Sequence, residues 1–309
     1  MNRQDYAQLL GERSALQRMI SETPLEDVLD RGSLTARLEE IEHCLSDGKV
    51  DEREPARARL TFNGRPVVGS YGIFADFGTK AISAFNEAVT AVAASLAGGL
   101  AAKGPIPNRE QHHLLITNTA LGSFGFELEE YRSGQLPIDE KSTLDQAIEC
   151  TQNLLQGSVN SDDELLADSA SELDQRALDK VRDFVSTLAE NEAICALQFR
   201  NQLFRFTDVG QVRHSLERIS RDNLHEEEQV LRGEFQGVLP KRRTFELQIG
   251  GTDQIITGKI APAVGDADEI NNHLHHEVEI RVMVTRVGNG RPRYLLLAMP
   301  EWREQALNH

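Results

Sequence analysis

The sequence predicts an α+β protein in three parts: an N-terminal helical hairpin over residues 1–48, an antiparallel-sheet body with helices over 56–230, and an OB-like small β-barrel over 231–300. Three observations predict it. Apolar residues near the N-terminus recur at helical spacing. From residue 56 onward, short apolar runs around turn residues alternate with long helix-periodic stretches, the pattern of an antiparallel sheet carrying helices. The C-terminal region reads strand-strand-strand-helix-strand-strand, the connectivity of an OB-type barrel.

Residues 3–21 and 33–46 read as the two helices of the hairpin. Ser33 is placed to cap the second, and Leu34, Leu38, Ile41 and Leu45 fall at 4-3-4 spacing along it. Between them Thr23-Pro24 begins a turn. Two heptads are too few for a free coiled coil, so this stripe must pack on its own chain or on a second copy, and it is the expected homo-oligomerisation surface. Asp47 to Pro55 is polar and reads as a linker. A hairpin of Arg59–Phe62 and Arg65–Val68 is expected around Asn63-Gly64. Asp76 is placed to cap a helix from Phe77 to Leu96, in which Ala81, Phe85, Ala88, Val89 and Val92 share one side and Gly98-Gly99 ends the run. Strands are expected at His112–Ala120 and Ser123–Glu130 around Leu121-Gly122, with polar Arg132-Ser133-Gly134 beyond them. Helices follow near 142–156, 162–170 and 174–189. A further hairpin, Ile194–Phe199 with Gln202–Phe206, precedes a helix from Asp208 to about Glu228.

In the C-terminal part the expected strands are Gly233–Leu239, Thr244–Ile249, Gln254–Ile260, Glu277–Val287 and Arg293–Met299, with a short helix over Asp266–Leu274. Gly233, Gly237, Gly250, Gly251 and Gly258 stand where coiled strands bend or turn. The segment Gly288 to Pro292 joins the last two strands.

Composition narrows the class. With 39% hydrophobic and 27% charged residues the chain is neither low-complexity nor disordered in character. The longest weakly polar stretch, Ala88 to Ala102, is too short to cross a bilayer, so no membrane partner is expected. Met1 to Asp5 lead into a charged pattern without an apolar core, so no secretory signal is expected. Cys44, Cys150 and Cys195 lie apart and form no CxxC pair, which fits a reducing cytoplasm. The net charge of −16 disfavours broad binding to a phosphate backbone. Much of that charge sits in one stretch: Asp139–Glu192 holds fourteen acids against four bases, read as a solvated helical surface or a docking site for a basic partner. Arg232–Pro300, with nine bases and eight acids, is nearly neutral.

No catalytic motif stands out. GxxxxGK[ST], GxGxxG and GxSxG are all missing, and Gly122-Ser123-Phe124-Gly125 and Gly64-Arg65-Pro66 match none of them. His273, His275 and His276 beside Glu277 alternate faces if extended, as do His112 and His113, so neither group converges on a metal. His43 beside Cys44 is one position away on a helix and faces elsewhere. Arg218 and His225 share the arginine-to-histidine interval of a superfamily of helical ribonucleases, while His214 and Arg221 belong to the solvated side of the same helix. No cofactor and no metal are expected. The strongest binding candidates are Lys241, Arg242 and Arg243 in the turn between the first two barrel strands, with Arg286, Arg291 and Arg293 on the last hairpin. In OB barrels these loops flank the ligand face, where Phe245 or Tyr294 would stack on a base.

The run Gly233-Glu234-Phe235-Gln236-Gly237-Val238-Leu239-Pro240, with Gly258-Lys259-Ile260, Ile270-Asn271 and Val284 through Tyr294, resembles uncharacterised bacterial proteins that carry a helix-and-hairpin body and a small C-terminal barrel. The resemblance covers about 56–300 and is one of layout. It implies an accessory role in a mobile-element or antiviral-defence system. The expected function is therefore a non-enzymatic cytoplasmic interaction protein that assembles with itself or with a partner protein. The alternatives are single-stranded nucleic-acid or nucleotide binding through the barrel, and a metal- or arginine/histidine-dependent nuclease.

Overall fold

A computed structural model describes residues 3–24, 27–47, 55–98, 100, 103–120, 124–131, 142–160 and 163–302. Most of the expected linker 47–55, the Leu121-Gly122 turn and Arg132–Gly134 lie outside them. The chain divides into two units, Met1–Ala56 with Glu130–Ser142, and Arg57–Glu129 with Thr143–His309.

The first unit carries helices α1 (Arg3–Glu22) and α2 (Val28–Asp47), packed on each other. The second helix starts five residues before Ser33, which lies inside it. Its start is set by the turn at Pro24, closed by Asp27 N–H donating to the Pro24 carbonyl at 3.2 Å. Arg31 then reaches back, donating to the carbonyls of Ile20 and Thr23 at 2.8 and 2.9 Å. These carbonyls at the end of α1 have no partner within the helix, so the guanidinium holds the corner. Ile41 is buried, and Leu34, Leu38 and Leu45 are half-buried, while the residues flanking Leu34, Leu38 and Ile41 are exposed, so the stripe faces inward.

The second unit joins a sheet with its helices to a barrel. The sheet is β4 (Leu114–Thr119), β5 (Gly125–Glu130), β1 (Arg57–Gly64), β6 (Ala193–Phe199) and β7 (Gln202–Arg205), in that spatial order. The expected Asn63-Gly64 hairpin does not form. Instead β1 pairs antiparallel with β5 and β6, and β2 (Val67–Val68) pairs with β3 (Gly72–Ile73) in a small ribbon. Burial explains the choice. Pairing with β6 sets Leu60 opposite Leu197 and Phe62 opposite Cys195, all buried. Gly64 fits there because a Cβ would lie 2.4 Å from the Glu192 carbonyl oxygen, and its φ of +109° suits glycine. The opposite face is polar, with Arg57–Glu129 at 3.0 Å and Arg59–Glu127 at 2.8 Å across the strands.

Helix α3 (Ala75–Leu96) packs against α4 (Thr143–Val159) and α6 (Gln175–Glu190), and α4 and α6 contact β6. All five residues expected on the inner side of α3 are buried. Asp76 stands in its first turn, and Phe74 occupies the cap position without a side-chain hydrogen bond. Helix α5 (Asp163–Ala170) follows α4. Helix α7 (Val209–Arg218) is capped by Asp208, which accepts from Gln211 N–H at 2.9 Å. It ends ten residues before Glu228. The chain turns at Ile219–Asn223, and β8 (Leu224–Leu239) begins seven residues before position 231. The charged run His225–Glu228 suits a helix by propensity, but pairing with β11 (Glu277–Val287) along eleven residues overrides it.

The barrel is completed by β9 (Thr244–Ile249), β10 (Ile255–Ile260) and β12 (Arg293–Leu296), in closed order β8-β9-β10-β12-β11. Only β10 and β12 run parallel among its pairs. With a 3-10 helix (Ala267–His273) between the third and fourth strands, this is the OB connectivity expected from the sequence. A bulge between Phe235 and Gly237 bends β8. The core centres on Phe235 and Phe245, whose rings meet edge to face at 5.8 Å, with Leu247, Ile256, Ile270, Ile280 and Val282 around them.

Candidate functional site

A cleft of about 520 Å³ lies on the barrel. One wall is β10 with its approach, Gln254 to Lys259. The other is Arg291 to Tyr294, and Asp168 and Ser171 close the side. The cleft exists because β12 is short: it pairs with β10 only from Gly258 onward, leaving Ile255 to Thr257 bonded on one edge alone. Gly258 lets the strands meet, since a Cβ there would sit 2.5 Å from the Phe245 ring and 2.7 Å from the Tyr294 carbonyl oxygen.

Helix α5 and the turn after it lie against this region. Arg293 pairs with Asp168 at 2.5 Å and stands 3.9 Å from Glu164, which is also 3.9 Å from Arg291. Lys259 pairs with Glu172, and Arg218 of α7 pairs with Asp163 at 2.8 Å. Val284 and Thr285 are adjacent on β11, hence on opposite faces, yet both are buried. The barrel interior takes one, and the side against which α5 packs takes the other. The acidic stretch of α5 is thus matched to the barrel's own bases and is not simply a solvated surface.

The seven predicted barrel residues separate into distinct roles. Lys241, Arg242 and Arg286 are exposed and pair with no acid among the described residues. Arg243 turns inward and donates to the carbonyls of Ile260, Ala261 and Gly265 at 3.1, 2.6 and 3.0 Å, tying the first barrel turn to the end of β10. Arg291 and Arg293 meet α5. Tyr294 lines the cleft and packs partly on the barrel core. Phe245 is buried in that core and unavailable for stacking on a ligand. Sequence reasoning missed Lys259, Glu164, Asp168 and Glu172. The three acids stand at i, i+4 and i+8, a spacing visible in the sequence, but nothing in it told which bases they would meet.

Compared with protein-family models, curated proteins and solved structures, the chain matches none.

The remaining chemical candidates do not assemble. Arg218 ends α7 while His225 is exposed on β8 opposite Arg286, so the ribonuclease interval does not lie on one helix. His273 stacks on Trp302 with centroids 4.2 Å apart, and His276 Nδ1 lies 2.9 Å from the Leu274 carbonyl oxygen. Among the described residues no three His, Cys, Asp or Glu side chains are grouped to hold a metal. Burial pushes the Cys150 thiol up to about 12 and the Cys195 thiol higher still, which keeps both protonated near neutrality. Among the described residues no helix is long and apolar enough to cross a membrane.

One further group stands out. Glu226, at the start of β8, is mostly buried, and its Oε1 has no hydrogen-bond partner. Burial first, then the neighbouring Asp174 and Asp179, push its carboxyl up to about 7, while Arg182 acts in the opposite sense. Burial also pushes Asp179 upward, but hydrogen bonds from Arg221, Gln175 and Arg182 outweigh it and hold that carboxyl below the usual range.

Proposed function

We propose that the protein is a non-enzymatic assembly protein that pairs with a second copy of itself along the β4 edge of the body sheet, which has no strand beyond it among the described residues. The observation that carries this reading is strand β4. It lies at the sheet edge, reads Leu-Leu-Ile-Thr-Asn-Thr, and is exposed at every position but Leu114, with Leu115 and Ile116 open to solvent. Such an edge offers unpaired backbone groups to another strand, and proteins usually guard it with charge, proline or brevity. The other edge is guarded: β7 has four residues and an exposed Arg205.

A second copy suits β4 for two reasons. An antiparallel strand pair closes about a two-fold axis, so the same patch serves both partners. In a chain of net charge −16, a strand without charge sets no like charges opposite each other when it meets itself.

Light scattering on the purified chain tests this. A dimer is expected, and Ile116→Lys, at an already exposed position, should convert it to monomer with unchanged circular dichroism. A monomeric wild-type chain at tens of micromolar, or a dimer indifferent to Ile116→Lys, would refute it.

A further inference from the structure

The barrel cleft supports an inference independent of the assembly reading. Its bases, Lys259, Arg291 and Arg293, stand in front of one row of carboxylates, Glu172, Glu164 and Asp168. Residues four apart on a helix lie about 6 Å apart along its axis, so Glu164 and Asp168 present negative charge at an interval comparable to that of phosphates on a stretched nucleic-acid strand. The bases face a cleft of about 520 Å³ lined also by Thr244, Gln254, Thr257 and Tyr294. Lys241, Arg242 and Arg286, exposed and unpaired with acids among the described residues, extend the positive surface of the same barrel.

We propose that this cleft is a binding site for single-stranded nucleic acid, and that α5 with its following turn is a built-in competitor occupying the phosphate-binding bases when no strand is bound. Charge complementarity identifies the occupant. Several cations along one groove suit the repeated phosphates of a nucleic-acid backbone. The location agrees, because OB barrels take oligonucleotides on the face flanked by the first and last loops. The competitor is displaceable. The Arg291–Glu164 and Arg293–Glu164 contacts are 3.9 Å long with Arg291 83% exposed, and the acids of all these pairs are 40–54% exposed, so solvent screens the row even where Arg293 meets Asp168 closely. A weak internal ligand lowers apparent affinity by the fraction of time it occupies the site.

The test is fluorescence anisotropy with labelled dT15 and rU15 at low salt, on the full chain. The triple variant Glu164→Gln, Asp168→Asn, Glu172→Gln is expected to bind at least tenfold tighter than wild type. Adding Lys259→Ala and Arg291→Ala to it should abolish the gain. A control with the same net charge, Glu110→Gln, Glu217→Gln, Glu234→Gln, should leave affinity within about twofold, because those acids are exposed away from the cleft-facing row. Should the triple variant unfold, Asp168→Asn alone supplies the comparison, with an expected gain of a few-fold. Comparison of dT15 with rU15 tells whether DNA or RNA is preferred. The proposal is overturned by no binding in any variant, by an equal gain in the charge control, by binding indifferent to Lys259 and Arg291, or by poly-glutamate binding as tightly as the oligonucleotides.

Discussion

Replacing Glu226 with glutamine should stabilise the protein in a manner that grows with pH. The carboxyl titrates near 7 in the fold against an ordinary value of 4.5. A native group that holds its proton above the unfolded value favours the folded state fully at low pH. That contribution is lost as pH rises through the window between the two values, because the unfolded chain releases its proton first. The full difference corresponds to about 3 kcal/mol, a large share of the roughly 5–15 kcal/mol that holds a domain together. Glutamine keeps the shape without the charge. Urea unfolding followed by circular dichroism, with the fluorescence of the single tryptophan, Trp302, as a second probe, should show a gap of about 1 kcal/mol at pH 5 widening to about 3 kcal/mol at pH 8. Parallel stability curves for Glu226→Gln and wild type from pH 5 to 8 would refute the reasoning, showing that the carboxylate is solvated once ionised.

Other perturbations follow from the same geometry. Gly258→Ala should destabilise the barrel by about 1–3 kcal/mol in thermal unfolding, because its methyl would overlap the Phe245 ring and the Tyr294 carbonyl; a neutral result would mean that β10 and β12 separate easily. Arg243→Ala should cost about 1–3 kcal/mol through the loss of its bonds to the Ile260, Ala261 and Gly265 carbonyls, of which Ala261 keeps the Val264 N–H, while leaving oligonucleotide affinity unchanged in the folded fraction. Of the three thiols, Cys44 should react rapidly with a disulfide reagent and Cys150 and Cys195 only on unfolding, since both are buried and protonated. A second fast thiol in the native protein would show local opening of α4 or β6.

Much of the fold was legible because its signals are local. The periodicity of α3, with Ala81, Phe85 and Val92 on one side, and the alternation in β11 report burial directly. The OB connectivity was legible because β8 through β12 are consecutive and separated by turn residues. Failures came where a distant partner decided. Asn63-Gly64 is a sound hairpin signal, yet β1 turned to β6, about 130 residues away, because Leu197 and Cys195 complete the buried face that Val67 and Val68 are too few to make. Helical propensity at His225–Glu228 yielded to pairing with β11 for the same reason.

The candidate site was legible as an inventory and not as an arrangement. Lys241 through Arg243 look alike in sequence, but Arg243 is consumed by the Ile260, Ala261 and Gly265 carbonyls while its neighbours remain in solvent. By itself the sequence determined most of the segments that are helix or strand, how charge is distributed along the chain, and the connectivity of the barrel. Only the tertiary structure decided that the acids of α5 confront the bases of β10 and β12. Helical and strand periods are written in neighbouring residues, whereas an ion pair between residues 172 and 259 depends on how two surfaces are brought together, and no spacing in the chain encodes that meeting.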